Sequence, residues 1–355
     1  MALQAATLAA TWPTWGPRET PPLLPLIPLP QLAAGPLLLG ALLLVGLRPR
    51  LGLPAYATLL AAAMVADQTR MQPHMLSLFY LTCGTMGSSA GVLVARASLV
   101  SLWFFAGVHK LTSPSFFAST APWLAEAVIP GAPRRWSLLL GIGVGAGEML
   151  LAAGCLLPAC RRGTAWAIPI FHGLALLLLS PLVLDWNREV WPWNVALACA
   201  GPALVAPWRG RLLGEAWAQS AAWGRWAAVA LLVLPIGYWF GVVDALLAHC
   251  LYSDNLPRAF LCTPDSRRDL RLVCEELGVQ IPPAHRHFEP LFLGVGKAGM
   301  WMEVEDPRWI ARRRGDARRT VRWWDLLPST GSIAAPRIAA PAAPESRAPP
   351  GSSAP

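Results

Sequence analysis

Apolar runs too long and too numerous for a water-soluble core dominate this sequence. They lie at 31–47, 53–66, 74–92, 94–111, 137–158, 163–184, 189–206 and 226–247, separated by short polar or arginine-bearing connections. A helix that crosses the hydrocarbon core needs about 20 apolar residues, within a range of roughly 17–25. Charged residues make up 14% of the chain, against about 25% in a typical soluble domain, and the mean hydropathy is +0.44. The expected fold is therefore an all-α membrane protein, a multi-span helix bundle of about eight spans, with six or seven also compatible with the lengths. The run at 53–66 is short, so it is tilted, re-entrant or extended into Asp67–Arg70. Pro73, Pro192 and Pro235 fall near helix starts or kinks.

Four regions follow. Residues 1–30 carry repeated prolines and no basic segment ahead of an apolar core, which predicts an extended lead-in at the membrane surface rather than a signal peptide. Residues 31–249 form the transmembrane bundle. From Cys250 the chain turns polar and predicts a small α+β C-terminal appendage over 250–328. Its expected elements are a strand at Ala259–Thr263, an amphipathic helix at Asp265–Leu277 ended by Gly278, and a second strand at Trp301–Val304. Residues 329–355 are an Ala/Pro/Ser tail with the composition of a disordered segment. There is no internal repeat, so the paired broken helices of a transporter are not expected.

The net charge of +9 is nearly all arginine, since Lys110 and Lys297 are the only lysines. Arginine beside apolar segments reflects topology and phospholipid contact, and a nucleic-acid partner would need a basic face on a soluble fold. One set of connections holds Arg48, Arg50, Arg96, Arg161, Arg162, Arg209, Arg211 and Arg225 against a single acid, Glu215. The opposite set balances Arg18, Arg70, Arg134, Arg135 and Arg188 with Glu19, Asp67, Glu126, Asp185 and Glu189. The first set is expected in the cytoplasm, which puts both termini and the C-terminal domain outside, as in a bacterial inner membrane. The seven cysteines form no CxxC and no zinc pattern, so no metal site is expected. Cys250, Cys262 and Cys274 could include a disulfide if the tail is extracytoplasmic.

Against this background a few ionisable residues stand out. Glu148 is eleven residues into the run that starts at 137 and His172 nine into the run that starts at 163. At about 1.5 Å per residue both lie near the midplane. An ionisable group there costs roughly 2.5–3.5 kcal/mol on insertion scales, and it persists when it pairs or does chemistry. Consecutive helices could bring Glu148 and His172 together as a proton relay or as a structural tie. Lys110 ends its helix, either at the mouth of an outward-open pocket or snorkelling into the interface. A lysine in apolar surroundings suits a general base, so Lys110, Glu148 and His172 are the candidate catalytic residues.

The candidate ligand-binding set is Asp67, Arg70, His109, Asp185, Asn187, Trp191, Trp193 and Asn194. Asp67 and Arg70 are spaced for a local ion pair. The run Asp185-Trp-Asn-Arg-Glu-Val-Trp-Pro-Trp-Asn194 alternates indoles with amides and a carboxylate. Such a run makes an interfacial belt or a pocket that both stacks and hydrogen-bonds a ring. Residues 112–136, with Phe116, Phe117 and Trp123, are expected to lie in the outer interface. The run 137–158 carries Gly141, Gly143, Gly145 and Gly147 ahead of Glu148, and small residues four apart would let a neighbouring helix approach closely and shield the carboxylate.

Over residues 50–205 these motifs resemble the vitamin K-dependent γ-carboxylase-like (HTTM) membrane domain and the wider DoxX-type and MauE-type superfamily. Phe104-Phe-Ala-Gly-Val-His-Lys110-Leu111 is similar to that family's F-x-A-G-x-x-K-L segment, and Phe171-His172 to a later Phe-His. Asp67-Gln-Thr-Arg-Met-Gln-Pro73 and Val190-Trp-Pro-Trp-Asn194 are similar to motifs of its bacterial members. The resemblance implies a quinone-like or vitamin K-like lipid as ligand, with Lys110 matching the lysine proposed to deprotonate the hydroquinone. The MauE-type likeness implies instead a non-enzymatic, redox-associated partner of an exported protein, docked through the C-terminal domain. That domain does not resemble the large lumenal domain that holds the carboxylase substrate.

Overall fold

The structure is a computed structural model that describes residues 1–27, 30, 33–205, 210–315 and 317–326. The expected disordered tail at 329–355 and the loop arginine Arg209 lie outside the described residues. The bundle is built from α1 (Ala2–Ala10), α2 (Trp12–Trp15), α3 (Ala34–Leu47), α4 (Pro49–Ala66), α5 (Pro73–Thr85) and α6 (Ser89–Leu111). It continues with α7 (Ala121–Val128), α8 (Arg134–Leu156), α9 (Arg161–Leu179), α10 (Trp191–Val205), α11 (Gly214–Gln219) and α12 (Ala222–Val233). Four of these, α4, α6, α8 and α9, are long and apolar enough to cross a membrane. Helix α3 and the run Ala222–Tyr238 are apolar but shorter. Trp166 on α9 and Trp226 on α12 are 76% and 73% exposed, and Leu150, Ile170 and Leu174 also face outward. An apolar face of this extent turned away from the core suits a hydrocarbon solvent rather than water.

Helix α6 is the centre. It packs against α5, α8 and α12 and buries most of its length. Its start is set by Ser88, whose hydroxyl accepts from Gly91 N at 3.0 Å, a side-chain N-cap. The expected close approach to α8 is present: a Cβ added at Gly107 would lie 2.4 Å from the Gly145 carbonyl oxygen. Pro49 and Pro73 stand in the first turns of α4 and α5, and Pro192 lies in the first turn of α10. A missing N–H costs nothing there.

The first fifteen residues of the N-terminal lead-in are helical rather than extended. The prolines begin only at Pro13, and Ala2–Ala10 is an Ala-rich stretch of high helix propensity that folds as α1 against α10 and α5. Gln4, Thr7 and Leu8 are buried, Leu8 in a cluster with residues of α3 and α4.

Beyond the bundle lie β1 (Arg258–Thr263), β2 (Ser266–Asp269), α13 (Leu270–Glu276), α14 (His285–Val295), β3 (Trp301–Glu305), α15 (Trp309–Arg314) and β4 (Arg318–Arg322). The strands form an antiparallel sheet in the order β2-β1-β3-β4, registered through Leu261↔Met302 and Met302↔Val321. Both expected strands are present. The expected helix at Asp265–Leu277 is shorter, because Ser266–Asp269 pairs with β1 as an edge strand. Asp269 then caps α13 by accepting from Arg271 N at 2.8 Å. Leu24 of the N-terminal segment is part of this domain's core, with Phe288, Phe292 and Met302. All seven cysteines are free thiols, so the conditional disulfide among Cys250, Cys262 and Cys274 does not form.

The domain sits on one end of the bundle. Gln72 Nε2 donates to Gln280 O at 3.1 Å, Arg286 pairs with Asp244 and Gln68, and Asp254 accepts from Ser119 and Thr120. Asn187 Nδ2 donates to the Tyr252 hydroxyl at 2.7 Å.

Candidate functional site

The predicted catalytic residues are buried in the bundle, but they pair differently from the expectation. Lys110 Nζ lies 2.9 Å and 2.8 Å from the two Glu148 carboxylate oxygens. Their side chains keep only 4% and 12% of their accessible surface. The Gly107/Gly145 contact one turn away brings the two backbones close enough for a lysine stem to reach across. Lys110 therefore does not snorkel.

The expected Glu148–His172 pair is not made. His172 Nδ1 is 2.9 Å from Asn194 Oδ1, and Trp103 Nε1 donates to His172 Nε2 at 3.1 Å. An amide oxygen only accepts, so Nδ1 carries the proton and Nε2 is free to accept from the indole. Both ring nitrogens are satisfied in a neutral imidazole. Asn194 Nδ2 donates to Val190 O at 3.1 Å, which completes a tie between α6, α9 and α10.

Asp67 and Arg70 are also structural. Their direct contact is 3.7 Å, whereas Asp67 Oδ2 is 2.6 Å from Arg18 Nη2. Asp67 Oδ1 also accepts from Leu24 N at 3.2 Å and Thr69 N at 3.1 Å. Arg70 donates to Thr14 O at 2.9 Å and Gly16 O at 3.1 Å. The pair expected to be local thus anchors the N-terminal segment to the turn between α4 and α5. His109 stacks on Trp239, centroids 4.4 Å apart. Trp191 donates its indole N–H to Trp186 O at 3.3 Å.

Between the bundle end and the C-terminal domain lies a cavity of about 870 Å³. Of the predicted set it takes in Asp185, Asn187 and Trp193. Lys110, Glu148 and His172 line neither this cavity nor the apolar one beside it. Trp123 and Trp186 meet edge to face at 5.1 Å, and Trp186 meets Tyr252 at 5.4 Å. Asp185 and Asn187 hold left-handed backbone angles, φ 43° and 50°, a conformation these residue types tolerate best after glycine.

Four buried polar atoms of this lining have no hydrogen-bond partner among the described residues: His74 Nε2, Asn187 Oδ1, Trp193 Nε1 and Arg271 Nε. The last is 3.8 Å from Glu275. Leaving such a group unsatisfied costs about 1–3 kcal/mol. Glu189, also in the wall, accepts from Gln280, and burial first, then the nearby Glu275 charge, push its carboxyl up to about 7. Donors, acceptors and ring faces together can hold a planar polar head. Among the described residues no group of three His, Cys, Asp or Glu is placed to hold a metal ion.

Sequence reasoning stopped one residue short of His74. Its signal was the proline of Gln72-Pro-His74, which starts a helix and fixes the next side chain in the first turn. Tyr252 and Arg271 carried no local signal, since only the docking of the C-terminal domain brings them to the bundle. No family model, curated protein or solved structure matches this chain, so its likeness to the carboxylase-like membrane domain rests on the motif residues alone.

Proposed function

We propose that this chain is an integral membrane protein that binds a quinone-like lipid in the junction cavity. In this reading it belongs with the carboxylase/DoxX-like bundles, and α3, α4, α5, α6, α8, α9, α10 and α12 make eight traverses. The cavity and the C-terminal domain lie on the extracytoplasmic side of a bacterial inner membrane. The observation that carries the binding proposal is that four residues lining one aromatic-walled cavity, His74, Asn187, Trp193 and Arg271, each hold a buried polar atom without a partner among the described residues. A quinone ring stacks among indoles, its carbonyls accept from the Trp193 and Arg271 N–H groups, and the hydroquinone form donates to Asn187 Oδ1. Lys110 and Glu148 act in this reading as a tie between helices rather than as base and relay.

The test is equilibrium binding of a short-chain quinone to the purified protein. Trp193→Phe removes one hydrogen bond worth about 1–2 kcal/mol, so it lowers affinity roughly 5–30-fold. No binding to the unaltered protein, or equal binding to the two, removes the proposal. The second reading, a non-enzymatic partner of an exported protein, is favoured by the exposed arginines Arg312, Arg313, Arg314 and Arg318. Loss of a co-purifying acidic protein on reversing those charges would support it over the first.

A further inference from the structure

Beside the junction cavity lies a second one of about 480 Å³, walled by Leu76 and Tyr80 of α5, Leu102 of α6, and Ala230, Leu231 and Leu234 on or next to α12. The two share Pro73 and Leu246 in their linings, so those two side chains form the partition. The chemistry changes across it. The junction cavity carries the carboxylates, amides and unpartnered N–H groups. In the second cavity the Ser98 hydroxyl turns back to Ala95 O at 2.8 Å, and Asp244 and Arg286 neutralise each other as an ion pair, which leaves His249 Nδ1 as its one buried polar atom without a partner among the described residues. Leu234 and Val242 of its lining are exposed, as is Val233 beside them.

We propose that the second cavity is the tail compartment of the ligand bound in the first. This rests on the head-group reading above. The occupant is one molecule with a planar polar head and a single hydrocarbon chain, the chain passing between Pro73 and Leu246. A polar lobe and an apolar lobe that share one partition fit an amphiphile better than two unrelated ligands. An apolar chain placed there leaves the bilayer without meeting water, and most buried polar groups of the lining already have partners. Pro73, with a rigid ring and no N–H to satisfy, makes a fixed edge, and Leu246 makes the edge that rotates. Entry is lateral, from the hydrocarbon layer past α12.

The experiment uses the full-length protein in phosphatidylcholine nanodiscs and two probes with the same naphthoquinone ring, one without a tail and one with a four-unit isoprenoid chain. Affinities are corrected for each probe's partition into empty nanodiscs. The tailed probe is expected to bind at least tenfold more tightly. Ala230→Phe, which fills the apolar lobe from a half-buried wall position, is expected to remove most of that advantage and leave the tail-less probe unchanged. Ala227→Phe, at a half-buried position that lines only the second cavity, is expected to do the same. Retained binding of the tail-less probe also shows that each variant is folded. If the tail-less probe binds and neither substitution weakens the tailed one, the tail lies elsewhere and this inference falls alone. If neither probe binds the unaltered protein, the head-group reading falls with it. A tailed probe displaced equally by added phosphatidic acid would mark the lobe as a phospholipid acyl site and overturn the single-molecule proposal.

Discussion

At the scale of single residues, burial has turned the most conspicuous ionisable groups into partners of one another. Lys110 and Glu148 are 2.8 Å apart with little surface left to either. Removing one partner of a buried pair costs about 3–5 kcal/mol because the other charge is stranded, whereas replacing both by apolar residues of similar volume is often neutral. Lys110→Met should therefore sharply lower the thermal stability of the detergent-solubilised protein, and the double variant Lys110→Met/Glu148→Leu should regain most of it. Quinone binding by the double variant should match that of the unaltered protein. A double variant that is stable but no longer binds would return Lys110 to the ligand site, as the resemblance to the carboxylase implies. His172 is a simpler case: with Trp103 and Asn194 on its two nitrogens, it has no ring nitrogen left to relay a proton.

At the scale of elements, the contact between α6 and α8 decides whether that pair can form. Gly107 and Gly145 face each other there, while a Cβ at Gly143 would meet nothing within 4 Å. Gly107→Ala forces the backbones apart and should cost about 1–3 kcal/mol as overpacking. Gly143→Ala should be neutral or slightly stabilising, since alanine is the better helix former. Unfolding midpoints of the two variants check this, and equal shifts would mean that the helices do not pack on this stripe. The arginine asymmetry also needs correction at this scale. Arg96 donates to Leu204 O at 3.0 Å and Leu212 O at 2.8 Å, and Arg161 donates to Cys155 O at 3.1 Å and Gly210 O at 2.7 Å. Both are buried, so they fasten helix ends rather than serve as loop charges. Arg48, Arg50, Arg162, Arg211 and Arg225 still leave that set of connections the more basic.

At the scale of the whole molecule, the C-terminal domain closes a cavity that the bundle alone would leave open, and its docking is expected to depend on pH. Glu189 at the junction is pushed from its ordinary 4.5 to about 7. Below about 4.5 the carboxyl is protonated docked or undocked and contributes nothing to the pH dependence. Between 4.5 and 7 the docked form keeps a proton that the free form has lost, so docking weakens as pH rises through this window. Cleavage of the segment 250–257 by an added protease should thus be faster near pH 8 than near pH 5, after correction for the protease's own profile. Glu189→Gln, which keeps an acceptor for Gln280, should flatten that difference. An unchanged pH profile in the variant would assign the coupling to another group.

The helices α4, α6, α8 and α9 were legible in the sequence because hydrocarbon immersion leaves a one-dimensional trace: long apolar runs broken by arginine, proline and glycine. The glycines of α8 were legible for the same reason, since small residues four apart mark a close contact whatever the partner helix is. Strands β2 and β4 were not, because short edge strands rich in arginine carry no apolar alternation. Helix α1 was misread because the prolines of residues 13–30 were allowed to speak for the nine residues before them. Local pattern thus determined which segments are apolar helices and which residues are costly to bury. Tertiary structure alone decided that Glu148 pairs with Lys110 and His172 with Asn194, and that His74, Trp193 and Arg271 share a wall. Which groups meet depends on the rotation of each helix and the docking of a distant domain. Neither leaves a trace in local composition.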